Sequence, residues 1–226
     1  MKKYAVIAAG GTGSRMAGSL PKQFADLLGK PVIMHAIQAF LHYAPDINLV
    51  VILHDSMTET WEKLCKKHQF HYRHEIVMGG PTRFHSVKNG LRLVPDDVLV
   101  AVHDAVRPLV SLDTIARTYQ FASRFGNAIP VVSPADTVRT VDGAISKPID
   151  RQKIRLVQTP QCFFSARLKK AFNTNYHDSF TDEASVLEAD GERLFLVDGN
   201  HENIKITHPA DLLFAEAILS RKTHEK

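Results

Sequence analysis

Arg15 and Lys22 follow a glycine-rich stretch, Ala8-Ala9-Gly10-Gly11-Thr12-Gly13-Ser14, that itself follows an apolar run over residues 4–9. Glycines let backbone N–H groups turn toward an anion with no Cβ in the way, and successive donors of this kind make an anion-binding nest. Arg15 adds a planar fork of donors and Lys22 a mobile point charge. The chemistry suggested is on a nucleoside triphosphate. Two familiar glycine loops do not fit. A Walker A loop needs Lys directly after its last glycine and Ser or Thr next, which Arg15-Met16 does not supply. A dinucleotide fingerprint needs glycine where Met16 stands. The bland alternative is a tight strand-to-helix turn with a surface Arg.

Three further groups could serve the same chemistry. His103-Asp104-Ala105-Val106-Arg107-Pro108 ends an apolar run over residues 98–102, where open α/β sheets place ligands. Asp104 there could coordinate Mg²⁺, a hard cation that keeps water and substrate phosphates among its ligands. Arg107 could hold a second phosphate. The alternative is a turn cap or an Asp104–Arg107 ion pair. Gly79-Gly80-Pro81-Thr82-Arg83-Phe84-His85-Ser86 is another glycine turn, close enough in principle to approach a base, with Ser86 hydrogen-bonding it and Arg83 near ribose or phosphate. The alternative is ordinary punctuation between strand and helix. Lys205 lies on an extended segment, Asn203-Ile204-Lys205-Ile206-Thr207, as a phosphate ligand or a solvated charge.

The elements that must position these groups alternate. Strands are expected at residues 4–9, 49–53, 75–78, 98–102, 128–132 and 194–197. Helices are expected at 31–43, 82–93, from a Ser111 cap to 125, from 165, from 181–183, and from Pro209. Ser56-Met57-Thr58-Glu59 reads as a capping box opening a helix that turns Trp61 and Leu64 inward. This is the pattern of a mostly parallel sheet covered on both faces. Residues 137–161 break it with short β-like pieces and a hairpin signal at Asp142-Gly143, and read as an arm leaving the domain.

The 226 residues suit a single domain, 1–226. No run near 18 apolar residues occurs, and Met1-Lys2-Lys3 leads straight into a strand, so a soluble, cytoplasmic protein with no membrane partner is expected. Cys65 and Cys162 offer neither a disulfide framework nor a CxxC site. A net charge of +4 and a pI of about 9.0 come from dispersed Lys and Arg, which argues against a nucleic-acid partner. His68, His71 and His74 recur every third residue without a zinc pattern and read as solvated surface.

Taken together, the motifs resemble the cytidylyltransferases of the 2-C-methyl-D-erythritol 4-phosphate pathway to isoprenoid precursors. The resemblance covers nearly the whole chain. It rests on the Ala8–Met16 loop with Pro21-Lys22-Gln23-Phe24, Gly79-Gly80 with Arg83 and Ser86, His103-Asp104-Ala105 with Arg107, Asp136-Thr137, Gln158-Thr159-Pro160-Gln161, Thr181-Asp182-Glu183-Ala184-Ser185 and Asn203-Ile204-Lys205. It implies a Rossmann-like α/β nucleotidyltransferase domain with a mostly parallel sheet and a protruding β-arm. The implied reaction joins CTP to the methylerythritol phosphate and releases pyrophosphate. By the same resemblance Arg15, Lys22 and Lys205 are catalytic cations, and Asp104 holds Mg²⁺. Ala8, Ala9, Gly10, Gly11, Gly13, Gly79, Gly80, Arg83, Ser86, Asp104 and Ala105 bind the nucleotide. Arg107, Thr137 and Arg151 bind the polyol phosphate, the last two reaching across from the arm of a homodimer partner.

Two departures, Gly11 after Gly10 and Val106 within His-Asp-Ala-Val-Arg-Pro, look like the related ribitol-5-phosphate cytidylyltransferases, whose product is CDP-ribitol. Arg83 with His85-Ser86-Val87, Asp150-Arg151 and Thr181-Asp182-Glu183-Ala184-Ser185 are closer to the methylerythritol enzymes. A sugar-nucleotide enzyme using UTP or GTP is a further alternative, since the glycine loop alone does not select a base. A non-catalytic nucleotide- or RNA-binding module is the reading from another class, and would make Asp104 and Lys205 dispensable.

Overall fold

The computed structural model describes residues 1–11 and 21–224, with side chains to residue 221. Elements follow in the order β1 (Lys3–Ala9), β2 (Asp26–Leu27), β3 (Lys30–Pro31), α1 (Val32–Tyr43), β4 (Asn48–Leu53), α2 (Thr58–Lys67), β5 (Glu75–Met78), α3 (Arg83–Leu91), β6 (Leu99–Asp104), α4 (Leu112–Phe125) and β7 (Asn127–Val132). Then come β8 (Val138–Asp142), β9 (Ile145–Ile149), β10 (Leu156–Val157), β11 (Gln161–Phe164), α5 (Ser165–Ala171), α6 (Glu183–Ala189), β12 (Leu196–Asp198) and α7 (Pro209–His224).

Among the described residues the main sheet has eight strands. β1 pairs in parallel with β4 on one side and β6 on the other, and β5 continues in parallel beyond β4. β11 runs antiparallel between β6 and β7, β10 extends that antiparallel line along β7, and β12 is a parallel edge strand on β7. The strands are nearly continuous apolar runs because both faces are covered. Their period of two divides the side chains between two cores. Ala5, Ile7, Val51 and Ala101 pack with Ile33, Phe40, Trp61 and Tyr119 on the α1, α2 and α4 side. Val6, Ile52 and Val100 pack with Phe84, Leu91, Leu168 and Leu187 on the α3, α5 and α6 side. Ser111 caps α4 by accepting the Thr114 N–H at 3.1 Å, as its position predicts.

Several local expectations are corrected. The Ser56–Glu59 capping box does not form. A 3-10 turn, Asp55–Met57, precedes the helix instead, the His54 ring accepts the Ser56 N–H, and Glu59 pairs with Lys63 at 2.6 Å. Trp61 is buried as expected. His74 is not plain surface. Its Nε2 accepts the Trp61 indole N–H at 3.0 Å and its Nδ1 lies 2.7 Å from the Tyr72 carbonyl, because a buried indole must find an acceptor. The Asn203–Thr207 segment joins no strand; Ile206 N–H donates to the Val106 carbonyl at 2.9 Å and ties it to the end of β6.

β8 and β9 form a separate two-stranded hairpin turning at Asp142-Gly143, with Gly143 at φ +56°. Val141 and Ile145 on it are 73% and 65% exposed. Among the described residues no helix is long and apolar enough to cross a membrane.

Candidate active site

A cleft of about 670 Å³ opens at the carboxyl ends of β1, β4, β5 and β6, where the strand order reverses about β1. Ala8, Ala9, Gly10, Gly11, Lys22, Gly80, Arg83, Ser86, Asp104 and Lys205 all line it. Six residues not assigned to the site from sequence join them: Gln23, His54, Pro81, Thr82, Val106 and Thr207. Gly13 and Arg15 lie outside the described residues.

Asp104 is the electrostatic centre. It ends β6 at 7% exposure and faces three cations. Lys205 Nζ donates to Oδ2 at 2.9 Å, Arg107 Nε stands 3.6 Å from the same oxygen, and Arg83 Nη2 reaches Oδ1 at 3.3 Å. Burial opposes ionisation of this carboxyl, but Arg83, Lys205 and Arg107 outweigh it and hold the pKa far below the usual range. Arg83 also forks onto Glu183, with Nη1 at 2.5 Å from Oε1 and Nη2 at 3.0 Å from Oε2. Burial disfavours its charge, yet Glu183 and then Asp104 raise its pKa. Burial lowers the Arg107 pKa against the pull of Asp104. Three cations against two carboxylates leave the cluster one positive charge in excess.

The loops around this cluster are held by buried polar groups. Gln23 is 2% exposed and donates to the Ala9 and Gly11 carbonyls at 3.0 and 2.9 Å, which fixes the start of the first loop. The Ser86 hydroxyl, which lines the cleft, also braces the second glycine turn. It accepts the Gly80 N–H at 2.9 Å and donates to the Thr82 carbonyl at 2.9 Å, so it holds the turn. Gly80 is required there, because a Cβ would fall 2.5 Å from His85 Cβ. Gly79 braces the turn through its N–H to the Leu53 carbonyl, and Ala105 donates to the Ala8 carbonyl.

His103 is wholly buried behind Asp104. Its Nε2 lies 3.0 Å from the Arg107 carbonyl, which assigns the hydrogen to that nitrogen. Nδ1 then accepts from the Thr159 hydroxyl at 3.1 Å, and Thr159 Oγ1 accepts the Asp104 N–H at 3.0 Å. One neutral imidazole thus bridges the backbones that carry Asp104 and Arg107. Arg107 donates its Nη1 to the Asn203 carbonyl at 2.7 Å, binding the Lys205 segment to the same loop. Thr137 and Arg151 are exposed at the hairpin and are not among the described residues lining this cleft; Arg151 donates to the Ala135 carbonyl.

The family model described as 2-C-methyl-D-erythritol 4-phosphate cytidylyltransferase (IspD) matches residues 4–221. The chain belongs to this family. It is similar to the enzyme of that name from Bacteroides thetaiotaomicron, 46% identical over 97% of this chain and 100% of the relative. The one from Porphyromonas gingivalis is 43% identical over 97% of this chain and 98% of its own. The crystal structure of the Thermus thermophilus cytidylyltransferase matches with a TM-score of 0.79 and 31% identity over 97% of this chain and 100% of that one. The Francisella tularensis structure matches with a TM-score of 0.77 and 34% identity, over 96% and 99%.

Membership makes the chain a cytidylyltransferase, and these relatives do not favour the ribitol phosphate reading. The two departures have local accounts. A Cβ at Gly11 would meet nothing within 4 Å among the described residues. Val106 lines the cleft and packs with Leu27, Val32, Leu109, Ile206 and Ala215 under α7, where its extra bulk is accommodated.

Burial lowers the His103 pKa from 6.5 to about 4, the Arg107 and Thr159 contacts notwithstanding. The unfolded chain therefore binds this proton first as pH falls. The stabilisation is complete above pH 6.5 and is lost on descending toward about 4, on the order of 3 kcal/mol in all. His35, also held low by burial, titrates in the same direction, so the comparison must be with a variant. Urea unfolding between about pH 7 and about pH 4.5 should show a shallower loss of stability for His103→Gln than for the unmodified protein. Parallel curves would contradict the buried neutral imidazole.

Proposed function

We propose that this cleft transfers CMP from CTP to 2-C-methyl-D-erythritol 4-phosphate, giving 4-CDP-2-C-methyl-D-erythritol and pyrophosphate in the non-mevalonate supply of isoprenoid precursors. The observation that carries the reading is Asp104 with three cations at the mouth of a glycine-walled cleft. A phosphate oxygen of the acceptor attacks the α-phosphorus of CTP as the bond to the bridging oxygen of pyrophosphate breaks. The nucleophile is already ionised at neutral pH, so no general base is required. Repulsion between two anions is the main barrier, and positioning with charge neutralisation is the remedy.

Lys22 and Lys205 are the described cations assigned to the triphosphate, and Arg15 is assigned with them from the family resemblance. Ala8, Ala9, Gly10, Gly11, Gly13, Gly79, Gly80, Arg83, Ser86, Asp104 and Ala105 form the nucleotide side, Ser86 by shaping the turn. Asp104 fits a Mg²⁺ shared with the nucleotide. Such an ion needs only one or two carboxylates besides phosphates and water, and Oδ2 is covered by Lys205, whose side chain is 44% exposed and free to turn to a phosphate. Bound there, Mg²⁺ would neutralise phosphate charge.

Arg107, Thr137 and Arg151 are assigned to the acceptor phosphate. The exposed hairpin, residues 137–161 as an arm of the 1–226 domain, supports a homodimer in which Thr137 and Arg151 serve the partner's cleft. Two unpaired thiols, Cys65 and Cys162, suit a reducing cytoplasm.

The deciding assay is pyrophosphate release from CTP and Mg²⁺ with either acceptor. Release is expected with 2-C-methyl-D-erythritol 4-phosphate and not with D-ribitol 5-phosphate, and Lys205→Ala should lower turnover by about 100-fold with the fold intact. Release with ribitol phosphate alone, or from UTP alone, would overturn the substrate assignment.

A mixing experiment tests the shared site. Arg151→Ala should chiefly raise the apparent KM for the acceptor. Refolded together with Lys205→Ala in equal amounts, it should recover activity at low acceptor to about a quarter of the unmodified level, because one site in each mixed dimer is complete. No recovery would place Arg151 outside the partner's site.

A further inference from the structure

Glu183 is fully buried and is not among the residues lining the cleft, yet it takes both terminal nitrogens of Arg83, a residue that does line it. The contact closes a ring through the fold. Gln161 begins β11 opposite Val102 of β6. Its side chain accepts the Ala184 N–H at 2.9 Å and donates to Asp182 Oδ2 at 2.8 Å, which fixes the start of α6. Asp182 and Ser185 complete the reciprocal cap. Glu183 is thereby set against Arg83, and Arg83 returns to Asp104, two residues beyond Val102 on β6.

A two-bond fork fixes the plane of a guanidinium as well as its position. The nearest other anion for Arg83 is Asp104, already shared with Lys205 and Arg107. Released from Glu183, Arg83 would turn fully onto Asp104 and compete with both. A bridge serving only to tie α6 to α3 would need no third partner in the cleft and no exposure of the arginine there, whereas the Arg83 side chain is 29% exposed. We infer that Glu183 is a positioning residue for nucleotide binding, acting through Arg83, whose guanidinium it fixes so that Nη2 alone meets Asp104, at 3.3 Å, and the group is presented to the cleft. The inference rests on the reading of this cleft as the CTP site.

The test is calorimetric CTP binding by the full chain, as the unmodified protein, Glu183→Gln, Arg83→Gln and the double variant, alongside the KM for the acceptor and the melting temperature. Glu183→Gln keeps the shape and removes the charge. It should weaken CTP binding by about tenfold, and add nothing once Arg83 is Gln, because the two act as one unit. The acceptor KM should stay within about twofold. A lowered melting temperature with unchanged CTP affinity, or additive losses in the double variant, would make the bridge purely structural and overturn the inference. If Glu183→Gln does not fold, Glu183→Asp carries the same comparison, with a smaller loss of CTP affinity expected and an unchanged affinity overturning it. Failure of the unmodified protein to bind CTP would instead refute the reading of the cleft, and the positioning role with it.

Discussion

A buried carboxylate that holds three cations is the interaction on which the rest of this site depends. Without Asp104, Arg83, Arg107 and Lys205 would face one another across a poorly solvated crevice, and without them Asp104 could not remain ionised there. The cluster is therefore assembled before any substrate arrives. Its members are not equally tied. Lys205 meets Asp104 with a side chain 44% exposed, the most open of the three cations. Arg83 faces Glu183, whose side chain is 1% exposed, and breaking a buried pair costs about 3–5 kcal/mol. Lys205 is thus the cation able to change partners, while Arg83 stays where Glu183 holds it.

Sheet register explains why the parts meet. Ala8 of β1 lies opposite Asp104 of β6, and the Ala105 N–H reaches the Ala8 carbonyl, so the first glycine loop and the central carboxylate leave the sheet side by side. β4, on the other flank of β1, ends at Leu53, whose carbonyl anchors Gly79 and with it the second glycine turn. The antiparallel return through Thr159 and Gln161 then reaches His103 on one side and the start of α6 on the other. Phosphate neutralisation demands cations within a few ångströms of one another, and four strand ends provide that spacing without a dedicated domain.

Much of the fold was legible in the residues because both periodicities were strong. The apolar runs of β1, β4 and β6, the Ser111 cap, the Asp142-Gly143 hairpin and the start of α7 at Pro209 all stand where local signals put them. The Ser56–Glu59 box misled because four residues satisfied a motif while His54, just outside it, supplied the better acceptor. In the site, charged residues at strand ends were visible from their types and spacing. The roles of Gln23, His103 and Glu183 were not, since each acts through a hydrogen bond or ion pair that only the folded chain brings about: Gln23 to the carbonyls of the first loop, His103 to Thr159, and Glu183 to Arg83, 100 residues away. Ser86 adds a role that its type did not suggest: its hydroxyl braces the turn that carries it.

The most direct measurement is a crystal structure of the protein with CTP and Mg²⁺. The account predicts that Lys205 Nζ leaves Asp104 Oδ2 for a phosphate oxygen, that Asp104 turns to the metal, and that Arg83 keeps its fork on Glu183. A triphosphate bound away from Lys205, with the Lys205–Asp104 bridge intact, would contradict the claim that this carboxylate holds the cations in readiness for the nucleotide.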